Sequence, residues 1–232
     1  MALTLHLHPL SSFCWKVLIA LYENGTPFEP RMVDFGDPTA RAAYAALWPT
    51  CKIPLLEDDG RVVPETSIMI EYLDRHHPGA LKLLPADAPA QMEVRLWDRL
   101  SDLYVMDPMQ RIVGQHMRPE AERDAATLAS CQTLLDRSYD MIERHMAEQH
   151  AAGRHWAAGE NFSMADCAAA PALFYAAIAR PFPPGHGALQ SYYERLMTRP
   201  SVERAIDEAR PYFRYFPLRD ALPARFRDGA AA

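Results

Sequence analysis

Patterns typical of β-strands occur only in the first third of this chain, and the remainder shows helical patterns alone. The first part reads as strand, helix, strand, helix, strand, strand, helix, with a hairpin signal at the acidic turn 57–60. Pro85 to Pro89, a segment with two prolines and no periodicity, separates the two parts. The sequence therefore predicts an α+β protein, in which a small βαβαββα unit precedes an all-α helical bundle.

The chain has 232 residues, enough for one large domain or two modest ones. We expect a first domain over 1–83, a linker over 84–90 and a second, all-helical domain over 91–232. In the first domain we expect strands at 3–7, 28–35, 52–56 and 61–63. We expect helices at 13–23 and 65–77, and between them a short helix that follows Asp37-Pro38 and ends at about Leu47. In the second domain the helical patterns cover roughly 91–116, 119–149, 163–179, 187–197 and 201–209.

Charge and composition argue against several functions. Lys and Arg number 24 against 30 Asp and Glu, a formal net charge of −6, which disfavours general nucleic-acid binding. The longest apolar run, Cys167 to Ala179, contains Pro171 and is too short to span a bilayer, which needs roughly 20 residues. The four cysteines are scattered, and the N-terminus has no secretory pattern, so we expect a cytoplasmic protein without disulfides. His6 and His8 share a strand face but lack a third ligand nearby, so we expect no metal site.

Ser11, Ser12, Phe13 and Cys14 stand where the first strand gives way to the first helix. Free N–H groups and the positive end of a helix dipole stabilise an anion such as a thiolate there. Thioredoxin-like redox proteins place C-x-x-C at this point, so Ser11 in the first position suggests that an external thiol replaces the missing cysteine. Plain helix capping explains the two hydroxyls about as well. For Cys14 we expect a buried, unreactive thiol.

Three further segments have a recognisable chemistry. Ile53-Pro54 enters a strand, which requires either a cis peptide bond or a trans proline at the strand start. Glu65-Thr66 precedes a helical pattern, where the pair could hold an amino acid's charged groups or simply cap the helix. The segment 162–166, Phe-Ser-Met-Ala-Asp, is a capping-box variant that starts a buried helix.

With these features in this order, nearly the whole chain resembles the cytosolic glutathione transferases, most closely the serine-type bacterial and zeta-like members. The shared landmarks are Ser-Ser before the first helix, Lys-Ile-Pro before the third strand, Glu-Thr opening the third helix, the Ser-Met-Ala-Asp box and Arg-Pro-Ser-Val at 199–202. The resemblance implies a thioredoxin-like fold for the first domain, glutathione as co-substrate and a homodimer as the assembly.

The resemblance also implies roles for individual residues. Ser11 would activate the thiol, with Ser12 as the close runner-up. A cis Pro54 would let the backbone of Ile53 pair with the cysteinyl unit of glutathione. Glu65 and Thr66 would hold the γ-glutamyl end. The glutathione-binding set is then Ser11, Phe13, Lys52, Ile53, Pro54, Glu65 and Thr66, with Lys52 near the glycyl carboxylate.

The function implied is a transferase in which the thiolate of bound glutathione attacks a small hydrophobic electrophile. We expect the electrophile pocket on the helix after the linker, at Tyr104, Arg111 and His116. Alternatives are a glutathione-dependent disulfide reductase or peroxidase using Ser11 and Cys14, an isomerase, and a non-catalytic glutathione-binding protein. Zeta-like proteins carry Ser-Ser-Cys where Phe13 is the third residue here, which disfavours maleylacetoacetate isomerisation. Two more departures are Cys51 in place of a common glycine and Trp48 in place of Asn.

Overall fold

The first part of the chain forms a four-stranded mixed sheet in the computed structural model, which describes residues 3–228. The strands are β1 (Thr4–Leu7), β2 (Glu29–Met32), β3 (Leu55–Asp58) and β4 (Arg61–Val63). Their order is β2-β1-β3-β4, with β1 parallel to β2 and antiparallel to β3, and β4 antiparallel to β3. The second strand is shorter than the predicted 28–35, and its Pro30 is tolerated because β2 lies at the sheet edge.

The helices of this part are α1 (Ser12–Glu23), α2 (Pro38–Leu47) and α3 (Thr66–His76). Helix α1 is buried without interruption from Cys14 to Leu21, as expected of a mostly apolar helix inside the molecule. Val17 and Leu18 pack with the strands in the core of the first part. Trp15 and Ile19 belong instead to the larger core of the helical part. Helix α1 therefore lies between the sheet and the second half of the molecule.

The described remainder of the chain is helical. Its α-helices are α4 (Ala88–Leu100), α5 (Asp107–His116), α6 (Ala125–Ala151), α7 (Met164–Ala179), α8 (Gly187–Met197), α9 (Pro200–Ala209) and α10 (Ala224–Arg227). Helix α4 begins inside the expected linker because the Asp87 side chain caps it, accepting from the Ala90 N–H at 3.0 Å. In residues 3–228 no helix combines the length and apolar character that crossing a bilayer requires.

A π-helical segment, Ser101–Met106, joins α4 to α5, so the run predicted as one helix over 91–116 changes its winding in the middle. Pro108 follows this segment and has no N–H to donate to the carbonyl of Tyr104, four residues earlier. The Ser138 hydroxyl on α6 lies 2.8 Å from that carbonyl and 2.8 Å from the Leu134 carbonyl of its own helix, and its single proton can be donated to either. The altered winding shifts which side chains of this region face the first part of the molecule.

The predicted architecture, an α+β chain with a βαβαββα unit before an all-helical part, is confirmed. The two parts are tied by the Arg199 guanidinium, whose Nε and Nη2 donate to the Glu23 carboxylate on α1 at 2.6 and 2.5 Å. The exact domain limits, 1–83 and 91–232, stay a prediction.

Candidate functional site

A cavity of about 590 Å³ lies where the first part meets α4, the π-helical segment and α5. All seven residues predicted to bind glutathione line it: Ser11, Phe13, Lys52, Ile53, Pro54, Glu65 and Thr66. The helical part contributes Arg99, Asp102, Leu103, Asp107 and Gln110 to the opposite wall. The cavity thus combines polar and charged groups from both halves, at the N-terminal ends of α1 and α3.

Ser11 is the N-cap of α1, and its Oγ accepts a hydrogen bond from the Cys14 N–H at 3.3 Å. It is half-buried and lines the cavity. Ser12 differs, because it is buried and its Oγ accepts from Gln110 Nε2 at 3.1 Å. Of the two hydroxyls, Ser11 is the one that the cavity reaches.

The Cys14 thiol, one turn into α1, is fully buried. Burial raises its pKa to about 12, although the hydrogen bond from Ser11 opposes that change. Since the thiolate is the nucleophile in thiol chemistry, Cys14 is inert at neutral pH, as the sequence predicts.

The loop before β3 carries two unusual backbone features. The Ile53–Pro54 peptide bond is cis, so the alternative of a trans proline is wrong. Cys51 has φ +53°, a left-handed conformation that usually favours glycine. The Tyr44 hydroxyl on α2 fixes the loop by donating to the Lys52 carbonyl at 2.7 Å. The loop is therefore held against the cavity from the sheet side.

Glu65 is the N-cap of α3, with φ +69°, yet its side chain makes no capping hydrogen bond. The simple capping interpretation of Glu65 is therefore wrong. A non-glycine residue at positive φ costs roughly 1–3 kcal/mol, and such residues concentrate at functional sites. The exposed Glu65 carboxylate and the buried Thr66 both line the cavity.

A buried charge cluster lies behind the cavity wall. Lys16 Nζ, on α1, is fully buried and lies 2.7 Å from Asp98 Oδ1 and 2.7 Å from Asp102 Oδ2. It also donates to Ser67 Oγ at 3.0 Å, and that hydroxyl donates to Asp98 Oδ2 at 2.6 Å. One ammonium and two carboxylates give the cluster a formal charge of −1.

Asp102 is the member of this cluster that reaches the cavity. Its Oδ1 is buried and has no hydrogen-bond partner within residues 3–228. Burial raises the pKa of Asp102, and the neighbouring Asp98 adds to that effect, while Lys16 opposes it. Asp102 therefore contributes a carboxylate to the cavity wall while its Oδ1 stays buried without a hydrogen-bond partner among residues 3–228.

The sequence analysis missed this cluster, although it left a signal. Lys16 interrupts an otherwise apolar helix, and a buried lysine requires a carboxylate partner. Asp98 and Asp102 stand at i, i+4 spacing, which places both on one helix face.

Tyr104, Arg111 and His116, the residues expected to face the electrophile, are not among those lining this cavity. Leu103 and Gln110 line it instead, each one position before a predicted residue. One position turns a helix by about 100°, so adjacent side chains face different directions. Tyr104 and Arg111 are exposed.

No group of three or more His, Cys, Asp or Glu side chains within residues 3–228 is arranged to hold a metal ion. His6, one of the two strand histidines, lies 3.2 Å from a carboxylate oxygen of Glu57.

Comparison with known proteins agrees with this geometry. Residues 5–81 match the family model of the glutathione S-transferase N-terminal domain, and residues 101–200 match that of the C-terminal domain. A glutathione S-transferase-like protein of Fusarium sp, LUC7, is 30% identical over 168 residues, covering 70% of this chain and 72% of its own length. A maleylpyruvate isomerase of Ralstonia sp is 28% identical over 158 residues, covering 67% of this chain and 74% of its own length.

A crystal structure of a glutathione S-transferase from Methylobacillus flagellatus, solved with glutathione bound, superposes with a TM-score of 0.78. It is 26% identical to this chain, and the superposition covers 88% of this chain and 98% of that one. Sequence landmarks, fold, cavity and relatives agree, and the chain belongs to the glutathione S-transferase family.

Proposed function

We propose that this protein is a glutathione transferase that binds the tripeptide in the 590 Å³ cavity and lowers the pKa of its thiol. The observation that carries the proposal is that seven residues from three separate segments line one cavity, with Ser11 at the start of α1. In this proposal the glutathione sulfur lies against the first turn of α1, where Ser11 Oγ–H donates to the thiolate.

Charged groups around the cavity suit the two ends of the tripeptide. Lys52 lies on the loop before Pro54, where its ammonium would meet the glycyl carboxylate. Glu65 and Thr66 would receive the γ-glutamyl ammonium and carboxylate at the N-terminus of α3. Between them, the backbone of Ile53 would pair with the cysteinyl unit.

Lowering the pKa of the glutathione thiol requires only a modest free energy. A free thiol has a pKa near ~8.5, and lowering it by two units corresponds to roughly 2.7 kcal/mol of preferential thiolate stabilisation. A hydrogen bond to a charged group contributes about 1.5–3 kcal/mol, and a helix N-terminus adds about 0.3–1 kcal/mol. The thiolate then forms the C–S bond to the electrophile, whose leaving group departs with the displaced electron pair.

We place the electrophile beside Phe13 and Leu103, which supply apolar surface to the cavity next to the proposed sulfur position. Gln110 and Asp107 border this region from α5. Tyr104, Arg111 and His116 remain predicted contacts that a larger electrophile would have to reach.

Isomerisation is the second candidate function, because one relative is named a maleylpyruvate isomerase. The two activities separate in a direct assay, since isomerisation regenerates glutathione whereas conjugation consumes it. A disulfide reductase that uses Cys14 is disfavoured by the burial of that thiol and by its pKa of about 12. A non-catalytic glutathione-binding protein would bind the tripeptide but turn over neither class of substrate.

We also propose that the protein is a homodimer that pairs through α3, α4 and the π-helical segment. Large apolar side chains are exposed there: Ile68, Met92, Leu96, Leu103 and Tyr104. Met92 and Leu96 share a face of α4 at i, i+4 spacing, and exposed apolar stripes of this kind mark protein interfaces. The cytoplasmic location expected from the sequence stays a prediction.

The deciding experiment is a titration of bound glutathione, following the ultraviolet absorbance of the thiolate. We expect a thiol pKa about two units below ~8.5 in the native protein, and a return toward ~8.5 with Ser11→Ala. That variant should lose about 10- to 100-fold in kcat/KM for conjugation, the effect of one charge-assisted hydrogen bond.

Ser12→Ala is the matched control, since it removes a neighbouring hydroxyl that is held by Gln110. It should leave the thiol pKa unchanged. An unshifted thiol in the native protein, or equal effects of the two variants, would show that the mechanism is wrong.

A further inference from the structure

A second cleft, of about 410 Å³, lies on the helical part between the end of α6 and the start of α8, and it shares no residue with the glutathione cavity. Four of its lining side chains are basic or imidazole groups: His150, Arg154, His155 and Arg195. Gly153, with φ +73°, turns the chain at the end of α6 and brings Arg154 and His155 to the cleft. This cluster of two arginines and two histidines contrasts with the net charge of −6 of the whole chain.

The two guanidinium groups are not neutralised by nearby acids. Within residues 3–228 neither Arg154 nor Arg195 takes part in a salt bridge, and no Asp or Glu lines the cleft. Arg154 Nε donates to Gln149 Oε1 at 2.5 Å, and Arg195 Nη1 donates to the His155 carbonyl at 2.9 Å. These bonds engage one nitrogen of each guanidinium group, and Arg195 also lies over the Trp156 ring, 6.0 Å from its centroid; neither group makes a further hydrogen bond within residues 3–228.

Glu143 and the exposed Glu148 are the acidic residues of α6 that stand closest in sequence to the cleft residues; neither lines the cleft, and Glu143 has partners elsewhere. Glu143 accepts from the backbone N–H groups of Ala188 and Leu189, at 3.2 and 2.7 Å, at the start of α8. Its carboxylate is thereby directed at the helix end and does not enter the cleft lining.

The remaining lining residues define the ligand further. The rings of His150 and His155 lie 5.9 Å apart, centroid to centroid, and supply imidazole N–H donors. Met146 and Ala188 add apolar surface beside them. The volume falls within the roughly 300–1,000 Å³ of small-molecule sites, so a small organic group fits beside an anion.

We propose that this cleft binds a phosphoryl group, either as inorganic phosphate or as the phosphate monoester of a small organic molecule. A phosphoryl dianion offers three strong acceptor oxygens, which match two forked guanidinium groups and the imidazole donors. The apolar surface beside these donors favours the monoester.

The test is isothermal titration calorimetry on the full-length protein, at fixed salt, with inorganic phosphate and with phenyl phosphate. We expect saturable binding of phenyl phosphate that is unaffected by saturating glutathione, and weaker binding of inorganic phosphate. Arg154→Gln should raise the Kd about tenfold, which corresponds to about 1.4 kcal/mol. His150→Gln gives a second variant that leaves the Arg195 contact to the His155 carbonyl intact.

Arg144→Gln is the matched control, because Arg144 is an exposed arginine on the same helix that does not line the cleft. Its Kd should equal that of the native protein. The proposal is overturned by absence of saturable binding, by competition between phenyl phosphate and glutathione, or by equal losses in Arg154→Gln and Arg144→Gln. Equal affinity for inorganic phosphate and phenyl phosphate would retain the anion site and contradict the preference for the monoester.

Discussion

At the scale of single residues, Cys51 is the clearest case of a side chain in an unfavourable backbone conformation. Its φ of +53° is accessible to glycine at little cost but strained for residues with a Cβ. We predict that Cys51→Gly has a free energy of unfolding about 1 kcal/mol higher than Cys51→Ala, measured by chemical denaturation. Both variants lack the thiol, so the difference between them reports the backbone alone. Equal stabilities would contradict this account of the loop before Pro54.

Asp102 should make stability depend on pH. Its folded-state pKa is raised by burial and by Asp98, so protonation favours the folded state. The stabilisation is complete below the unfolded pKa of about 3.9 and is lost as the pH rises through the folded pKa. We predict that the native protein loses unfolding free energy relative to Asp102→Asn as the pH rises from about 4.

Asp107→Asn is the control for this comparison, because Asp107 is an exposed carboxylate at the same cavity. Measuring both variants over the same pH range separates the loss of a buried carboxylate from the loss of an exposed one. A flat stability difference between Asp102→Asn and the native protein would show that the folded-state pKa of Asp102 is not raised.

At the scale of secondary structure, the π-helical segment is contacted by a side chain from another helix. The Ser138 hydroxyl lies within hydrogen-bond distance of the Tyr104 carbonyl, to which Pro108 cannot donate because proline has no N–H. We predict that Ser138→Ala lowers the free energy of unfolding by about 1 kcal/mol, the net contribution of one hydrogen bond. Ser130→Ala, on the same helix, removes a hydroxyl that bonds only its own helix at Thr127, and it should cost less than about 0.5 kcal/mol. If the two variants lost equal amounts of unfolding free energy, the contact with the Tyr104 carbonyl would contribute nothing to stability.

The same segment shows where sequence reasoning succeeds and where it stops. Strand alternation, turn residues and helix caps are local signals, and they predicted the element order and the segments that form the first-domain wall of the cavity. Helical periodicity across 91–116 gave no indication of the π-helical winding or of the contact that Ser138, some thirty residues away, makes with it. Residue type alone then favoured Tyr104 and Arg111, whereas their neighbours Leu103 and Gln110 line the cavity.

Local sequence patterns also gave no indication of the ion pairs between Lys16 and the two aspartates. Lys16 meets Asp98 and Asp102 only after α1 packs against α4 and the π-helical segment. The family resemblance predicted the residues on the glutathione side of the cavity, because those residues lie in short motifs along the first part of the chain. The family assignment is confirmed by the domain matches, while the individual residue roles await the experiments above.

At the scale of the whole molecule, the exposed apolar face of α4 leads to a prediction about assembly. Leu96 is 48% exposed and Met92 67% exposed, so burial of this face against a second copy would remove apolar surface from water. We predict that Leu96→Glu converts a dimer into a monomer in analytical ultracentrifugation, since an unpaired charge would be buried at the interface.

Met117→Glu is the control for the assembly test, because Met117 is 75% exposed but lies beyond the end of α5, away from this face. It should leave the dimer intact. A native protein that sediments as a monomer, or a Leu96→Glu variant that stays dimeric, would show that this face is not the interface.

The ammonium of Lys16 belongs to one half of the molecule, and both carboxylates that neutralise it belong to the other. In a recombinant protein that joined this N-terminal half to the helical half of a relative, the Lys16 ammonium would be buried without a counter-charge. The exception is a helical half that carries acidic residues at the positions of Asp98 and Asp102. Exchange of halves between relatives is thus restricted by electrostatics as well as by shape, and the two halves of this chain must change together.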